Sequence, residues 1–484
     1  MNVVDMVFYW ARTDPHRLAI IQTEMMTTFE GLADAIESVS DRIDRLGLDK
    51  SEPIAVSIAN PSFFVAAVFA VLRSEYSVAL VHPPLYPQLQ PAGIRNLIYD
   101  TQGLVLSGGR NIRFDMSWLP AATPTSPRKP YRHRAIGDVN IIAFTSGTTG
   151  LPKMHVQPRA ALEQRFGDPV SGWAMGDHKR ALIMPGIASR FGFNRLCDLM
   201  FAGKTACFAS SSEDALWLIN TFEVDTAVAS PQQALGLAEI QEKRTRFPLV
   251  SLKSLRVAGA KASPEMIRRL RNLVCRKIIV SYASTEAGPV ASAPYAAIEH
   301  IPDAVGFVVP DVEVEIVDES GAILPSGTDG LLRLRTPHQQ LSRQTIQNGL
   351  SPAKRDSWFY PGDIGHLTEH GVLCITGRSS DVINSGGVKV SSVRIEEIVQ
   401  GLPEIMEAAA CGVMGPTGIE EVWIAIVTQA GVDIAEIKRR LKEHNEVKIE
   451  PAEVFVLEQL PRGDLGKVQK FRLKEQLLAL KRGA

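Results

Sequence analysis

Asp138-Val139-Asn140-Ile141-Ile142-Ala143-Phe144-Thr145-Ser146-Gly147-Thr148-Thr149-Gly150-Leu151-Pro152-Lys153 is an apolar run that turns abruptly into hydroxyls, glycines and one lysine. Val139 to Phe144 is rich in β-branched residues and has the length of one buried strand. Thr145, Ser146, Thr148 and Thr149 then supply hydroxyl donors, and Gly147 and Gly150 let backbone N–H groups turn inward on an anion. Lys153 adds a cation suited to phosphate oxygens. The stretch reads as a polyphosphate cradle at the end of a strand. A plain surface turn would rarely hold so many donors in so few residues. A nucleotide-kinase P-loop needs Gly-Lys-Ser/Thr in direct succession, and Leu151-Pro152 separate Gly150 from Lys153.

Working outward, the chain alternates strands and helices on both sides of this loop. Before it, helical spacing covers Asn2 to Arg12, Thr28 to Leu46, Pro61 to Arg73 and Pro91 to Asp100. Strands are expected at Pro53 to Ile58, Val78 to Val81 and Leu104 to Leu106. After it, strands at Ala181–Met184, Thr205–Ala209, Thr226–Ala229, Leu255–Ala258 and Ile278–Ser281 alternate with four helices. This order predicts parallel, doubly wound sheets, which bind ligands beyond the carboxyl ends of their strands. Two further groups lie at such ends: Gly259-Ala260, and Tyr282-Ala283-Ser284-Thr285-Glu286, with a ring face, a hydroxyl and a carboxylate suited to a hard cation. From Val305 the pattern becomes antiparallel, leading to Trp358-Phe359-Tyr360-Pro361-Gly362-Asp363. A smaller α+β region follows from residue 378, carrying Gly377-Arg378-Ser379-Ser380-Asp381, the glycine hairpin Ser385-Gly386-Gly387-Val388-Lys389-Val390, and Pro461-Arg462-Gly463-Asp464-Leu465-Gly466-Lys467.

These elements, in this order over nearly the whole chain, resemble the acyl-adenylate-forming superfamily, most closely its acyl-CoA synthetases. The resemblance implies a large N-terminal domain (1–377) of two doubly wound sheets plus an antiparallel β piece, and a small mobile α+β C-terminal domain (378–484). It assigns Thr145, Ser146, Gly147, Thr148, Thr149, Gly150 and Lys153 to the phosphates of ATP, and Gly259 and Ala260 to the adenine and acyl pocket. It gives Tyr282 to adenine stacking, Thr285 to the α-phosphate, Glu286 to Mg²⁺, Asp363 to the ribose hydroxyls and Arg378 to ribose or phosphate. Lys467 becomes the main catalytic residue, bridging carboxylate and α-phosphate. The sequence departs from the family pattern at Met154, Ala283, Ser380 and Asn384.

The implied reaction is carboxylate activation to acyl-AMP with pyrophosphate release, then thioester formation with coenzyme A. Transfer to a carrier-protein phosphopantetheine and a non-catalytic nucleotide-binding descendant are the alternatives. In the acyl-pocket segment Met184 to Phe193 no histidine stands, and Arg190 suggests a second acidic group on the substrate. Asn194 and Asp198 are poor matches for an ammonium-binding aspartate.

Composition sets the remaining expectations. The 484 residues are 45% hydrophobic, with 52 basic and 53 acidic side chains, so neither nucleic acid nor an anionic membrane is indicated as partner. The most apolar segment, Pro61 to Leu72, falls short of the roughly 20 residues that span a bilayer. It reads as a buried helix capped by Asn60 with Pro61 at its first position. Five scattered cysteines and the absence of a signal-like start fit a reducing, cytoplasmic setting. A homodimer is left open.

Overall fold

The computed structural model describes residues 2–101, 106–120, 137–145, 153–164, 166, 178–243, 249–284, 286–336, 343–344, 354–355, 358–385, 388–415, 419–428, 431–444, 447, 449–463 and 468–483. Two large sheets organise the first three quarters of the chain. One is a seven-stranded sheet whose parallel heart runs Asn140–Thr145, Val78–Leu80, Ile54–Ser57, Asn96–Tyr99 and Arg110–Arg113. The other contains fifteen strands. Its parallel half holds Leu18–Gln22, Thr205–Cys207, Arg180–Ile183, Thr226–Ala229, Ser254–Ala258 and Ile278–Ser284. The antiparallel piece expected from the sequence is hydrogen-bonded directly onto this half. Gly288–Pro294 pairs with Ile278–Ser284, and Ala304–Val308, Val372–Arg378 and Asp363–Leu367 follow in order.

The Pro61–Arg73 helix forms as its sequence demands. Pro61 occupies the first turn, and the Asn60 side chain accepts from the backbone N–H of Ser62 at 2.9 Å and Phe63 at 3.3 Å. Phe64 through Leu72 are all buried, with apolar side chains on every face. Such a helix lies between layers rather than on a surface. No helix among the described residues is long and apolar enough to cross a membrane. All five cysteines are buried free thiols.

One expected helix is wrong. Pro91 to Asp100 contains a strand, Asn96–Tyr99, set between Ile54–Ser57 and Arg110–Arg113. Gly93, at φ +74°, breaks the helical path first. The run Asn96-Leu97-Ile98 is buried on both faces, and periodicity does not separate a short buried strand from a helix. The neighbouring strand is Arg110–Arg113; the one expected at Leu104 to Leu106 falls mostly on residues 102–105, outside the described residues.

The C-terminal region is a three-stranded sheet of Ile405–Met414, Glu420–Thr428 and Glu453–Val456. Helices Ser392–Gln400 and Ile434–Glu443 cover one face through Ile395, Val399, Ile437 and Leu441. The Lys470–Gly483 helix covers the other through Leu473 and Leu477.

Asn60→Ala removes the cap from this buried helix. The expected loss is about 1 kcal/mol in denaturant unfolding, and an unchanged midpoint would show that Pro61 and packing alone fix this helix start.

Candidate active site

Asp363 is the buried centre of the site. It is 3% exposed, and it begins the strand that follows Gly362, a glycine at φ +81°. The Arg378 guanidinium donates from Nε to Asp363 Oδ1 at 2.7 Å, and the Tyr282 hydroxyl donates to Oδ2. Arg378 and Asp363 are direct partners across adjacent antiparallel strands. Tyr282 comes from the Ile278–Ser284 strand, which is bulged between Tyr282 and Ala283. A bulge turns a strand locally and re-aims its side chains. Burial first, and then the Asp363 charge, hold the Tyr282 phenol well above its ordinary pKa; Glu286 adds in the same direction. Tyr282, Glu286, Asp363 and Arg378 therefore share one electrostatic neighbourhood.

Gly259 and Ala260 follow the adjacent strand, whose Ala258 is paired with Ser281. Gly259 has φ +94°, and a Cβ there would meet nothing within 4 Å. Conformation, not crowding, demands this glycine, and the backbone faces open space beside Tyr282. An adenine base could lie against it. After the tyrosine strand, the Ala287 N–H donates to Ser284 Oγ at 2.9 Å and closes the turn holding Glu286. Among the described residues no group of three or more His, Cys, Asp or Glu could hold an ion. One carboxylate fits Mg²⁺, which commonly arrives on nucleotide phosphates and needs few protein ligands.

Ser146, Gly147, Thr148, Thr149, Gly150, Thr285 and Lys467 lie outside the described residues. Their flanks are fixed. Thr145 pairs with Lys153 as the last rung between Asn140–Thr145 and Lys153–Pro158. The strand continues through Met154, which pairs with Phe144 and packs beside it in the core under the sheet. A side chain in place of the family's glycine is thus accommodated. Around Lys467, Arg462 bridges Val468 and the Gln469 N–H donates to the Pro461 carbonyl at 2.8 Å. Gly386 and Gly387 also lie outside the described residues, between the paired strands Val382–Ser385 and Val388–Ser391.

Several supporting contacts escaped the sequence reading. Ser379 is tied to the Gly362 carbonyl by its backbone N–H at 2.8 Å and its hydroxyl at 3.0 Å. The turn after Arg378 is thereby fastened to the turn before Asp363. Lys470 donates to Ser392 Oγ at 2.5 Å and approaches Glu396 at 3.0 Å and Asp381 at 3.9 Å. It lies three residues after Lys467, and this spacing was the only signal the sequence offered. Lys261 reaches Asp303 at 2.6 Å and, across position 378, Glu397 at 2.7 Å. In the acyl-pocket segment Ser189 caps the Arg190–Phe201 helix, and Arg190 stands half-buried in its first turn. Asp198 is fully buried and bonded to Arg195 at 2.9 Å.

A model described as "AMP-binding enzyme" matches residues 7–343. The chain belongs to the AMP-binding enzyme family. It is similar to 4-chlorobenzoate–CoA ligase of Arthrobacter sp, at 26% identity over 98% of this chain and 95% of that one. The mitochondrial medium-chain acyl-CoA ligase of Homo sapiens is 31% identical over 69% of this chain and 57% of its own. The solved o-succinylbenzoate CoA synthetase of Bacillus subtilis, in complex with its acyl-adenylate intermediate, superposes with a TM-score of 0.83. It has 22% identity and covers 97% of each chain. These relatives place the AMP-binding chain described here among the AMP-forming acid–thiol ligases.

Because the folded Tyr282 pKa lies above its unfolded one, the stability held by this proton is complete below about pH 10 and declines above it. Asp363→Asn removes the charge that keeps the phenol protonated. Ultraviolet difference titration should show one tyrosine ionising at lower pH in the variant than in the parent; identical titrations would break the link between the two side chains.

Proposed function

We propose that this enzyme joins a carboxylic acid to coenzyme A in two steps at the Tyr282–Asp363–Arg378 site. The acid's carboxylate attacks the α-phosphorus of ATP, forming acyl-AMP and releasing pyrophosphate. The coenzyme A thiol then attacks the acyl carbon and displaces AMP. The observation that carries the reading is Asp363, a buried carboxylate pinned by Tyr282 and Arg378. Each carboxylate oxygen has a further lone pair, so Asp363 can still accept from a vicinal diol such as ribose. With its hydroxyl tethered, Tyr282 keeps its ring plane fixed for stacking on a base.

The remaining roles follow from charge. The Thr145–Gly150 loop and Lys153 take the departing pyrophosphate, Thr285 the α-phosphate, and Glu286 the Mg²⁺. The ion would offset phosphate charge. To Lys467 we assign the offsetting of charge between the attacking carboxylate and the α-phosphate, two anions that must approach each other. A carboxylate is already ionised at pH 7, so the residues need only position the reactants and stabilise charge, without a protein nucleophile.

A second step on the same acyl group requires a different set of residues from the C-terminal region (378–484), brought in by rotation about Ser379–Asp381. The contacts across this boundary suit such movement. Lys261–Glu397 is a partly exposed pair, of a kind worth about 0–1 kcal/mol, and it is readily exchanged.

Products made from ATP, Mg²⁺ and a panel of carboxylic acids, with and without coenzyme A, test this function. AMP and pyrophosphate should appear only with acid and rise with coenzyme A. Acid-dependent release indifferent to coenzyme A would shift the acceptor to a carrier-protein phosphopantetheine. Nucleotide binding without release would leave a non-catalytic descendant. Lys467→Ala should slow acid-dependent pyrophosphate release by about 10²–10³-fold, the usual cost of losing one charge-stabilising donor, with ATP binding retained.

A further inference from the structure

Just after the Gly259–Ala260 turn, the Lys261 ammonium reaches across to the C-terminal region. It bonds Asp303 at 2.6 Å on the nucleotide side. It also bonds Glu397 at 2.7 Å on Ser392–Gln400, the first α-helix of the C-terminal region. Asp303 is held in place by its backbone. It sits at φ +58°, its carbonyl accepts from the Ile375 N–H at 3.0 Å, and the next residue, Ala304, enters the large sheet. Glu397 is shared in turn. Its Oε1 accepts from Lys261, and its Oε2 accepts from Arg394 of the same helix at 3.0 Å. The cluster is a row of alternating charge, Asp303–Lys261–Glu397–Arg394, and it crosses between the regions at the Lys261–Glu397 link.

Each end of that link keeps a partner when the link opens. Lys261 retains Asp303, and Glu397 retains Arg394 one turn away on the same helix face. Burial works against both charges. The Asp303 and Glu397 bonds nevertheless raise the Lys261 ammonium above its ordinary pKa, and the Lys261 and Arg394 bonds hold the Glu397 carboxyl below its own. Lys261, Asp303 and Glu397 are each about a third exposed, so water can take the place of the link. A bridge without such resident partners would leave a desolvated charge unpaired on opening and would resist it. This one exchanges at little cost, yet it still favours the arrangement in which it is closed.

We propose that Lys261 and Glu397 are positioning residues that form an exchangeable latch for the C-terminal region, with Asp303 and Arg394 as the resident partners that ease its release. The inference rests on the two-step reading of the Tyr282–Asp363–Arg378 site, because a reaction that uses two sets of residues needs such a choice of arrangement. Two consequences have opposite sign. Loss of the Lys261 or Glu397 charge frees the region from the latched arrangement. Loss of the Asp303 charge makes Lys261 depend on Glu397 and tightens the latch. A cluster that merely supported the fold would loosen the latched arrangement in every case.

Fluorescence energy transfer tests the latch in the full chain, with one dye on Val250→Cys and the other on Met414→Cys in the C-terminal region. Both positions are exposed, and the five native cysteines are buried. Lys261→Gln and Glu397→Gln should each shift the population away from the latched arrangement by up to about fivefold, the range of a partly exposed pair. The double variant should shift it no further. Asp303→Asn, which keeps a residue tolerant of left-handed backbone, should shift it the other way. The same variants are assayed for pyrophosphate release from acid and ATP, and for thioester formation from preformed acyl-AMP and coenzyme A. Lys261→Gln should change the ratio of the two rates by a similar factor, and Asp303→Asn should change it in the opposite direction. Unmoved populations, or Lys261→Gln and Asp303→Asn acting in the same direction, overturn the latch; Glu397→Gln decides if Lys261→Gln fails to fold. Two rates that change alike overturn the positioning role. Populations that move as stated in a protein that releases no pyrophosphate with any acid would instead overturn the two-step reading and leave the latch standing.

Discussion

A single buried carboxylate ties the molecule's working parts together. Asp363 receives Tyr282 from the parallel half of the large sheet and Arg378 from the antiparallel half. Ser379 and Gly362 then bind the following turn to the same place. A buried charge is tolerated only when paired and hydrogen-bonded, and breaking such a pair costs several kcal/mol. That energetic demand locks two segments 81 residues apart in sequence into one geometry. It also sets the turn into the C-terminal region against Asp363 and Tyr282.

Two flanks of the expected chemistry are fixed in the same way: Thr145 pairs with Lys153, and Arg462 bridges Val468. Lys470, bound to Ser392 and close to Glu396, fastens the start of the last helix to the Ser392–Gln400 helix.

The sequence disclosed elements whose local chemistry is strong. The Asn60–Pro61 cap began a helix where the residues predicted it. Asp363, Tyr282 and Arg378 were all identifiable from motif residues, and they meet. What remained hidden depends on pairing between distant segments. The bulge after Tyr282 needs Pro289 and Ala291 opposite it, and no local pattern announces that. Asn96–Tyr99 was misread because its neighbours, not its own residues, decide between strand and helix. The strand after Lys153 was also unseen, since His155, Val156 and Gln157 carry no strong alternation; its pairing with Asn140–Thr145 supplies the order.

The most direct test follows oxygen atoms. The carboxylic acid is labelled with heavy oxygen in its carboxylate and turned over with ATP, Mg²⁺ and coenzyme A, and the AMP formed is weighed by mass spectrometry. Attack of the carboxylate on the α-phosphorus predicts that one labelled oxygen passes into AMP. AMP without label would mean that the acid never bonded to that phosphorus, and it would contradict the account.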